Sequence, residues 1–442
     1  MSQQTGEALR APRTGIRRRV ATGLGAVGVA LAISAGAAVW GGDGAAPPNS
    51  VGAAPGPASG VPALEARVRD QPRDAGAWAA LGSAYVERSR TSGDPGGYPR
   101  ADEAFAEALA LRPDGNDTAL AGRASLAAAR HDFPAALRDA ERAVAVNPYS
   151  ERGLAVRIDA LVELGRYDEA LRAAGEADRR RPGVPVFTRL AYVHELRGNT
   201  GEAERVLKLA LRSASTPADT SYVATALGQL AWSRGRYATA LGHCATALRA
   251  EPGNIAAEEC RARTYAARGR TAEAISEYER IVARSPLPGR AVALGELYEA
   301  AGRREPARRQ YALIGTWTAL ARAAGVNPDS DTVLAAAGHG DRAAALVAAR
   351  EEYRRRPTVH TADALAWALH RAGRTEEALP YARKATASGY RDAAFLYHRG
   401  MIEHASGERA AARRTLTEAL RLNPAFSPLG AATARRVLGE DA

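Results

Sequence analysis

From about residue 75 to residue 424, apolar and polar positions follow a helical period, and the helical stretches come in pairs of nearly fixed length. Leu227, Gly228 and Ala231 mark one apolar face before Gly235, and Ala240, Cys244 and Ala247 mark another after it. Three residue types recur with this pattern. Alanine stands at Ala101, Ala136, Ala170, Ala203, Ala240, Ala274, Ala307, Ala345, Ala378 and Ala412, with gaps of 33 to 38 residues. Five residues earlier there is glycine in nine of ten cases (Gly96, Gly165, Gly198, Gly235, Gly269, Gly302, Gly340, Gly373 and Gly407), with His131 in the other. Twelve residues later there is proline in seven: Pro113, Pro148, Pro182, Pro252, Pro286, Pro357 and Pro424.

Each of the three has a physical task. Glycine accepts the left-handed backbone that closes a helix. The small alanine lets a second helix lie close against the first. Proline ends that second helix because it cannot continue one. Each unit is therefore a short antiparallel helix pair, unable to bury its apolar face without a copy on each side.

With "WAALGSAY" supplying Trp78, Leu81, Gly82 and Tyr85, the unit resembles the tetratricopeptide repeat family over about residues 75–424, ten units in all. The fold this implies is all-α: a right-handed α-solenoid of about ten helix pairs. Stacked repeats need polar-faced ends, and "ALEARVRDQP" within 63–74 and "PLGAATARRVLGE" within 425–442 read as capping helices. Departures from the pattern are the insertion "TSGDPGGYP" in the first unit, Ala127 where the family has tyrosine, and Gly315–Ser330, whose poor register predicts a kink or altered pitch.

In this family the first helix of each unit lines a concave groove that binds extended peptides. The resemblance places Asp159, Gln229, Trp232, Glu259, Arg263, Asp363, Trp367, His370, Tyr397, Met401 and His404 there. The other reading of Trp232 and Trp367 is packing against a neighbouring helix. The family's carboxylate-clamp form uses lysine and asparagine on the groove face. Here the asparagines fall in loops or the tether, and neither Lys208 nor Lys384 lies on a groove helix, which argues against a clamp.

Val20–Trp40 runs for twenty-one residues without a charge, long enough at about 1.5 Å per residue to cross a hydrocarbon core. Arg10, Arg13, Arg17, Arg18 and Arg19 precede it, which orients the N-terminus inward and sets everything after it outside the cytoplasmic membrane. The span reads either as a single-pass anchor, with Trp40 at the interface, or as a signal cleaved near Ala35 and Ala37, releasing a secreted protein. Residues 41–62 are mostly Gly, Pro, Ala and Ser with a single charge and read as a tether. The expected organisation is thus 1–19 basic, 20–40 anchor or signal, 41–62 tether, 63–74 cap, 75–424 array and 425–442 cap and tail.

The net charge of +11 does not point to nucleic acid, because beyond the N-terminal cluster the arginines are interleaved with Asp and Glu in the manner of a solvated helix surface. No phosphate loop, nucleophile elbow or metal-type Cys/His spacing occurs, and His398 and His404 are six apart, on different sides of a helix. The sequence therefore predicts a non-enzymatic protein without cofactor, metal or small-molecule substrate. Cys244 and Cys260 lie eight residues on either side of Pro252 and read either as a disulfide between antiparallel neighbours or as two small buried residues. The functional expectation is an interaction scaffold that binds an extended protein segment. Its alternative is an accessory subunit that holds envelope glycan or lipid-linked polymer for a partner enzyme. Mixed charge with apolar pockets would mark the first, and exposed flat aromatics beside carboxylates the second.

Overall fold

The computed structural model describes residues 60–92, 96–323 and 329–439, and among these every regular element is an α-helix. The first helix, α1 (Val61–Asp70), precedes ten antiparallel pairs. These are α2 and α3 (Ala75–Ser92, Gly97–Leu111), α4 and α5 (Asp117–Ala129, Phe133–Val146), and α6 and α7 (Glu151–Glu163, Tyr167–Arg180). Next come α8 and α9 (Val184–Leu196, Thr200–Ser213), α10 and α11 (Pro217–Ser233, Tyr237–Ala250), and α12 and α13 (Ile255–Ala267, Thr271–Arg284). Then follow α14 and α15 (Pro288–Ala300, Arg304–Ala323), α16 and α17 (Ser330–His339, Arg342–Arg355), and α18 and α19 (Val359–Arg371, Thr375–Ala385). The last pair is α20 and α21 (Ala393–Ala405, Arg409–Leu422), and α22 (Pro428–Leu438) covers its open side. This is the helical repeat solenoid the spacing predicts. Val61 and Pro62, read above as tether, instead open α1, where proline suits the first turn of a helix.

The recurring residues do the work assigned to them. All ten reference alanines are buried, none more than 2% exposed. Seven of the glycines adopt positive φ between 68° and 81°, and His131 takes the same left-handed backbone at φ 59°. Gly96 and Gly340 depart, with φ of −60° and −125°. The first lies inside the insertion, beyond the end of α2, and the second ends the short α16. The irregularity expected near 315–330 takes the form of a twenty-residue α15 followed by the ten-residue α16. Trp317 of α15 packs against the apolar cluster of α1 to α4.

Cys244 and Cys260 are joined by a disulfide between α11 and α12, with Cα atoms 5.9 Å apart. Gly228 on α10 makes room for it: a Cβ there would lie 2.6 Å from Cys260 Sγ.

The chain also winds back on itself. Turns inside the third to fifth pairs meet the connections that leave the eighth to tenth. Arg356 Nη1 reaches Glu163 Oε2 at 2.5 Å, with the two side chains only 4% and 5% exposed. The Val359 N–H donates to Tyr167 Oη at 2.9 Å, and Ser388 Oγ donates to the Leu196 carbonyl at 3.3 Å. Asn423 Nδ2 donates to the Trp232 carbonyl at 3.0 Å while its Oδ1 accepts from Tyr237 Oη at 2.6 Å. These partners are 186 to 193 residues apart, so one coil of about five and a half units stacks on the next.

The N-terminal features read above, Val20–Trp40 and the preceding arginines, lie outside the described residues. Among the described residues no helix is long and apolar enough to cross a membrane.

Candidate functional site

Coil-on-coil stacking converts the inner surface of the second half from an open groove into a chamber. Its walls are mainly the first helices of pairs five to ten (α10, α12, α14, α16, α18 and α20), with the end of α8 joining them and α22 across the end. Ser427 Oγ donates to Glu296 Oε2 at 2.8 Å, tying the cap to α14. Two cavities of about 580 and 610 Å³ lie within and share walls at Arg263, Glu296, Asp331, Leu334 and Ala394.

The eleven residues assigned to the groove divide into three groups. Glu259, Arg263, Trp367 and Tyr397 line the first cavity; Gln229, Trp232 and Arg263 line the second. Trp367 also packs as a core residue. It is 9% exposed and its ring stacks on His398 with centroids 4.3 Å apart. Trp232 presents one face to the Arg263 guanidinium, 4.8 Å above it. Each tryptophan thus lines a cavity and also packs against a neighbouring side chain.

Asp159, Asp363, His370, Met401 and His404 line neither cavity. Asp159 receives Arg189 through two hydrogen bonds of 2.8 Å, and Asp363 is held at 2.9 Å by His398 Nδ1. Both carboxylates are buried and join the first helix of one pair to the first helix of the next. Glu259 does the same while also facing the first cavity, meeting Arg263 at 3.0 Å and Arg290 at 3.1 Å. Removing one partner of such a buried pair leaves an uncompensated charge, a loss of about 3–5 kcal/mol. His370 accepts or donates to Thr375 Oγ1 at 3.2 Å, and burial lowers its pKa. Met401 packs into the apolar clusters of α16 to α22, and His404 is exposed at the end of α20.

Several residues the sequence reading passed over complete the chamber. Arg371 lines the first cavity and donates to the Gly338 carbonyl at 3.1 Å; burial and Arg342 lower its pKa. His131 also reaches this cavity from the second pair, and burial together with Arg356 pushes it down to about 3, so it is neutral there. Glu195, Asp392, His360 and Tyr390 gather on the second cavity. The signal that could have found the inter-helix pairs is an acid followed 30 to 35 residues later by Arg or His on the next first helix. Nothing local could have found the residues that meet only through stacking of the coils.

Among the described residues no three His, Cys, Asp or Glu side chains are grouped to hold a metal ion. The walls combine paired charges with the apolar side chains of Leu287, Val292, Leu334 and Leu429. The exposed flat rings expected of a glycan site do not dominate, since Trp367 is covered by His398 and Trp232 by Arg263.

No curated protein matches the chain. Among solved structures it is similar to a thermophilic tetratricopeptide repeat protein of Thermus thermophilus, TTC0263, at 27% identity, covering 43% of this chain and 96% of that one with a TM-score of 0.37. PilF of Pseudomonas aeruginosa is 22% identical over 49% of this chain and 94% of its own, with a TM-score of 0.38. The human IFIT1 dimer with PPP-AAAA is 15% identical over 82% of this chain and 94% of its own, with a TM-score of 0.44. The tetratricopeptide repeat profile matches residues 121–185, 156–220, 188–255, 225–287 and 364–425, just over half of the sequence. With the spacing, the buried alanines and the paired helices, that match means the chain belongs to the tetratricopeptide repeat family.

Proposed function

We propose that the protein is a non-enzymatic interaction scaffold whose internal chamber binds a short segment of a partner protein. Proteins of this repeat family generally act in protein interaction. The observation that carries the finer reading is the pair of adjoining cavities of about 580 and 610 Å³, mixed in charge and apolar between the charges. A segment a few residues long fits such a space, whereas a long extended peptide would have to pass the cap α22.

The array stands outside the cytoplasmic membrane, joined to Val20–Trp40 through the tether or released after cleavage. The disulfide between Cys244 and Cys260 supports this location, because such bonds persist in oxidising compartments. Alkylation of intact cells before and after reduction tests it: both thiols protected until reduction fits, and both reactive at the outset defeats it.

The chamber itself is tested by selecting peptides from a display library on the full-length chain and comparing Ala394→Trp, which fills the shared wall. Selected peptides should bind the variant at least tenfold more weakly; unchanged affinity would move the site elsewhere.

A further inference from the structure

Nine carboxylates are buried among the described residues, and eight of them take a hydrogen bond: Asp159, Glu163, Asp219, Glu259, Glu277, Glu352, Asp363 and Glu403. Glu195, at the end of α8, is the ninth. It is 8% exposed, and among the described residues its carboxylate takes neither a hydrogen bond nor an ion pair. A buried charge without a partner is costly, and the group responds by holding its proton more tightly. Burial lifts the carboxyl to about 8, and Asp392 pushes in the same direction. Asp392 is itself raised by burial, although it accepts the N–H groups of Ala394 and Phe395 at the start of α20.

The cation that acts on Glu195 is Arg234, through space and without donating to it; its Nη1 has no partner among the described residues either. His360 offers no positive charge, because burial and Arg356 lower it to about 4.

Glu195 and Asp392 share the wall of the second cavity with Trp232, His360, Tyr390 and Phe395. The last three rings fix one another with centroids 5.4 Å apart. Trp232 Nε1 and His360 Nε2 have no hydrogen-bond partner. Two acidic side chains that take no ion pair among the described residues, set among aromatic walls although Arg263 and Arg435 line the same cavity, form a place where an ammonium or guanidinium group gains from both ion pairing and ring faces. An anion would meet repulsion there, and an apolar group would leave Glu195 as it is.

Building on the reading that the chamber takes a protein segment, we infer that this end of the second cavity is the subsite for a lysine or arginine side chain of that segment. The arginine-rich chain thus keeps a carboxylate-lined pocket inside, so that a basic partner is drawn past a surface that would otherwise repel it.

The test titrates n-butylguanidinium and n-butylammonium, with n-butanol as the neutral control, into the full-length chain, followed by ligand-observed NMR and thermal melting. Both cations should bind at least tenfold more tightly than n-butanol, and Glu195→Gln with Asp392→Asn should abolish that preference. Asparagine keeps the helix cap, so the double variant should melt no lower than the wild type in the absence of ligand. Cation binding unchanged in the double variant overturns the subsite, as does a variant that melts lower, which would mean Arg234 holds Glu195 in solution. If cations bind but no library peptide does, the subsite stands and the protein-segment reading fails. If peptides bind in an Ala394-dependent way without Lys or Arg and ignore Glu195→Gln, the reading stands and the subsite fails. Spermidine binding more tightly than any Lys- or Arg-bearing peptide would assign the pocket to a free polyamine and overturn the side-chain assignment.

Discussion

Gly165, Gly198 and Gly235 close the first helices of pairs three to five, and Gly269, Gly302, Gly373 and Gly407 do the same in pairs six, seven, nine and ten. All seven have the same left-handed backbone. Around them the two sets differ. A Cβ on Gly165 would lie 2.8 Å from the Pro357 carbonyl, on Gly198 2.4 Å from the Gly389 carbonyl, and on Gly235 3.4 Å from the Leu422 carbonyl. On the other four it would meet nothing within 4 Å. One sequence position thus serves two purposes: helix closure everywhere, and close passage of a second coil in three places.

Breaking the ion pair at that seam should have the largest effect. Arg356→Ala leaves Glu163 buried without its cation, while Glu352 keeps Arg355, and should lose about 3–5 kcal/mol in urea unfolding. Reduction of the disulfide, which lies off the seam and spans 16 residues, should lose up to about 3 kcal/mol by the chain-entropy argument. Gly198→Ala combines the left-handed penalty of about 1 kcal/mol with displacement of the opposing backbone and should exceed about 2 kcal/mol. Gly373→Ala has the backbone penalty alone and should stay near about 1 kcal/mol. Equal losses at Gly198 and Gly373 would mean the coils do not touch in solution. His131 gives the smallest contrast. His131→Asn, which tolerates the left-handed region, should change stability by under about 0.5 kcal/mol, whereas His131→Val should lose about 1–2 kcal/mol.

Glu195 adds a pH dependence near the same seam. Its folded pKa of about 8 lies above the ordinary glutamate value of 4.5, so the folded state holds the proton more tightly than the unfolded chain. This group's contribution to stability is complete below about 4.5 and is lost as pH climbs to about 8. Melting temperatures of the wild type should fall relative to Glu195→Gln across that window; parallel curves would contradict the unpaired carboxylate.

The units were legible in the sequence because each is specified locally. Glycine, alanine and proline at fixed offsets mark helix ends and close contacts, and buried Ala240 or positive-φ Gly235 need only their own unit to explain them. His131 was legible as the exception, and the structure has it adopt the glycine conformation all the same. The chamber was legible only in part. Trp232, Glu259, Arg263, Trp367 and Tyr397 face it because the first helices line the inner surface, but Asp159 and Asp363 turn instead to the neighbouring first helix. Which carboxylate finds a partner depends on side chains one unit away, and Glu195 shows that the pattern can be left open. The seam was not legible, because it arises from small rotations summed over about five and a half units, with no residue that announces the total.

An array that touches only its neighbours can lengthen or shorten by whole units, since each junction is like the last. This one has forfeited that freedom between Gly235 and Pro357. Duplicating or deleting a single unit there would slide Glu163 past Arg356, Leu196 past Ser388 and Trp232 past Asn423 in one event. The number of units in that interval is therefore fixed for inheritance as firmly as any residue in the chamber, and descendants of this chain should vary in length at its ends before they vary in its middle.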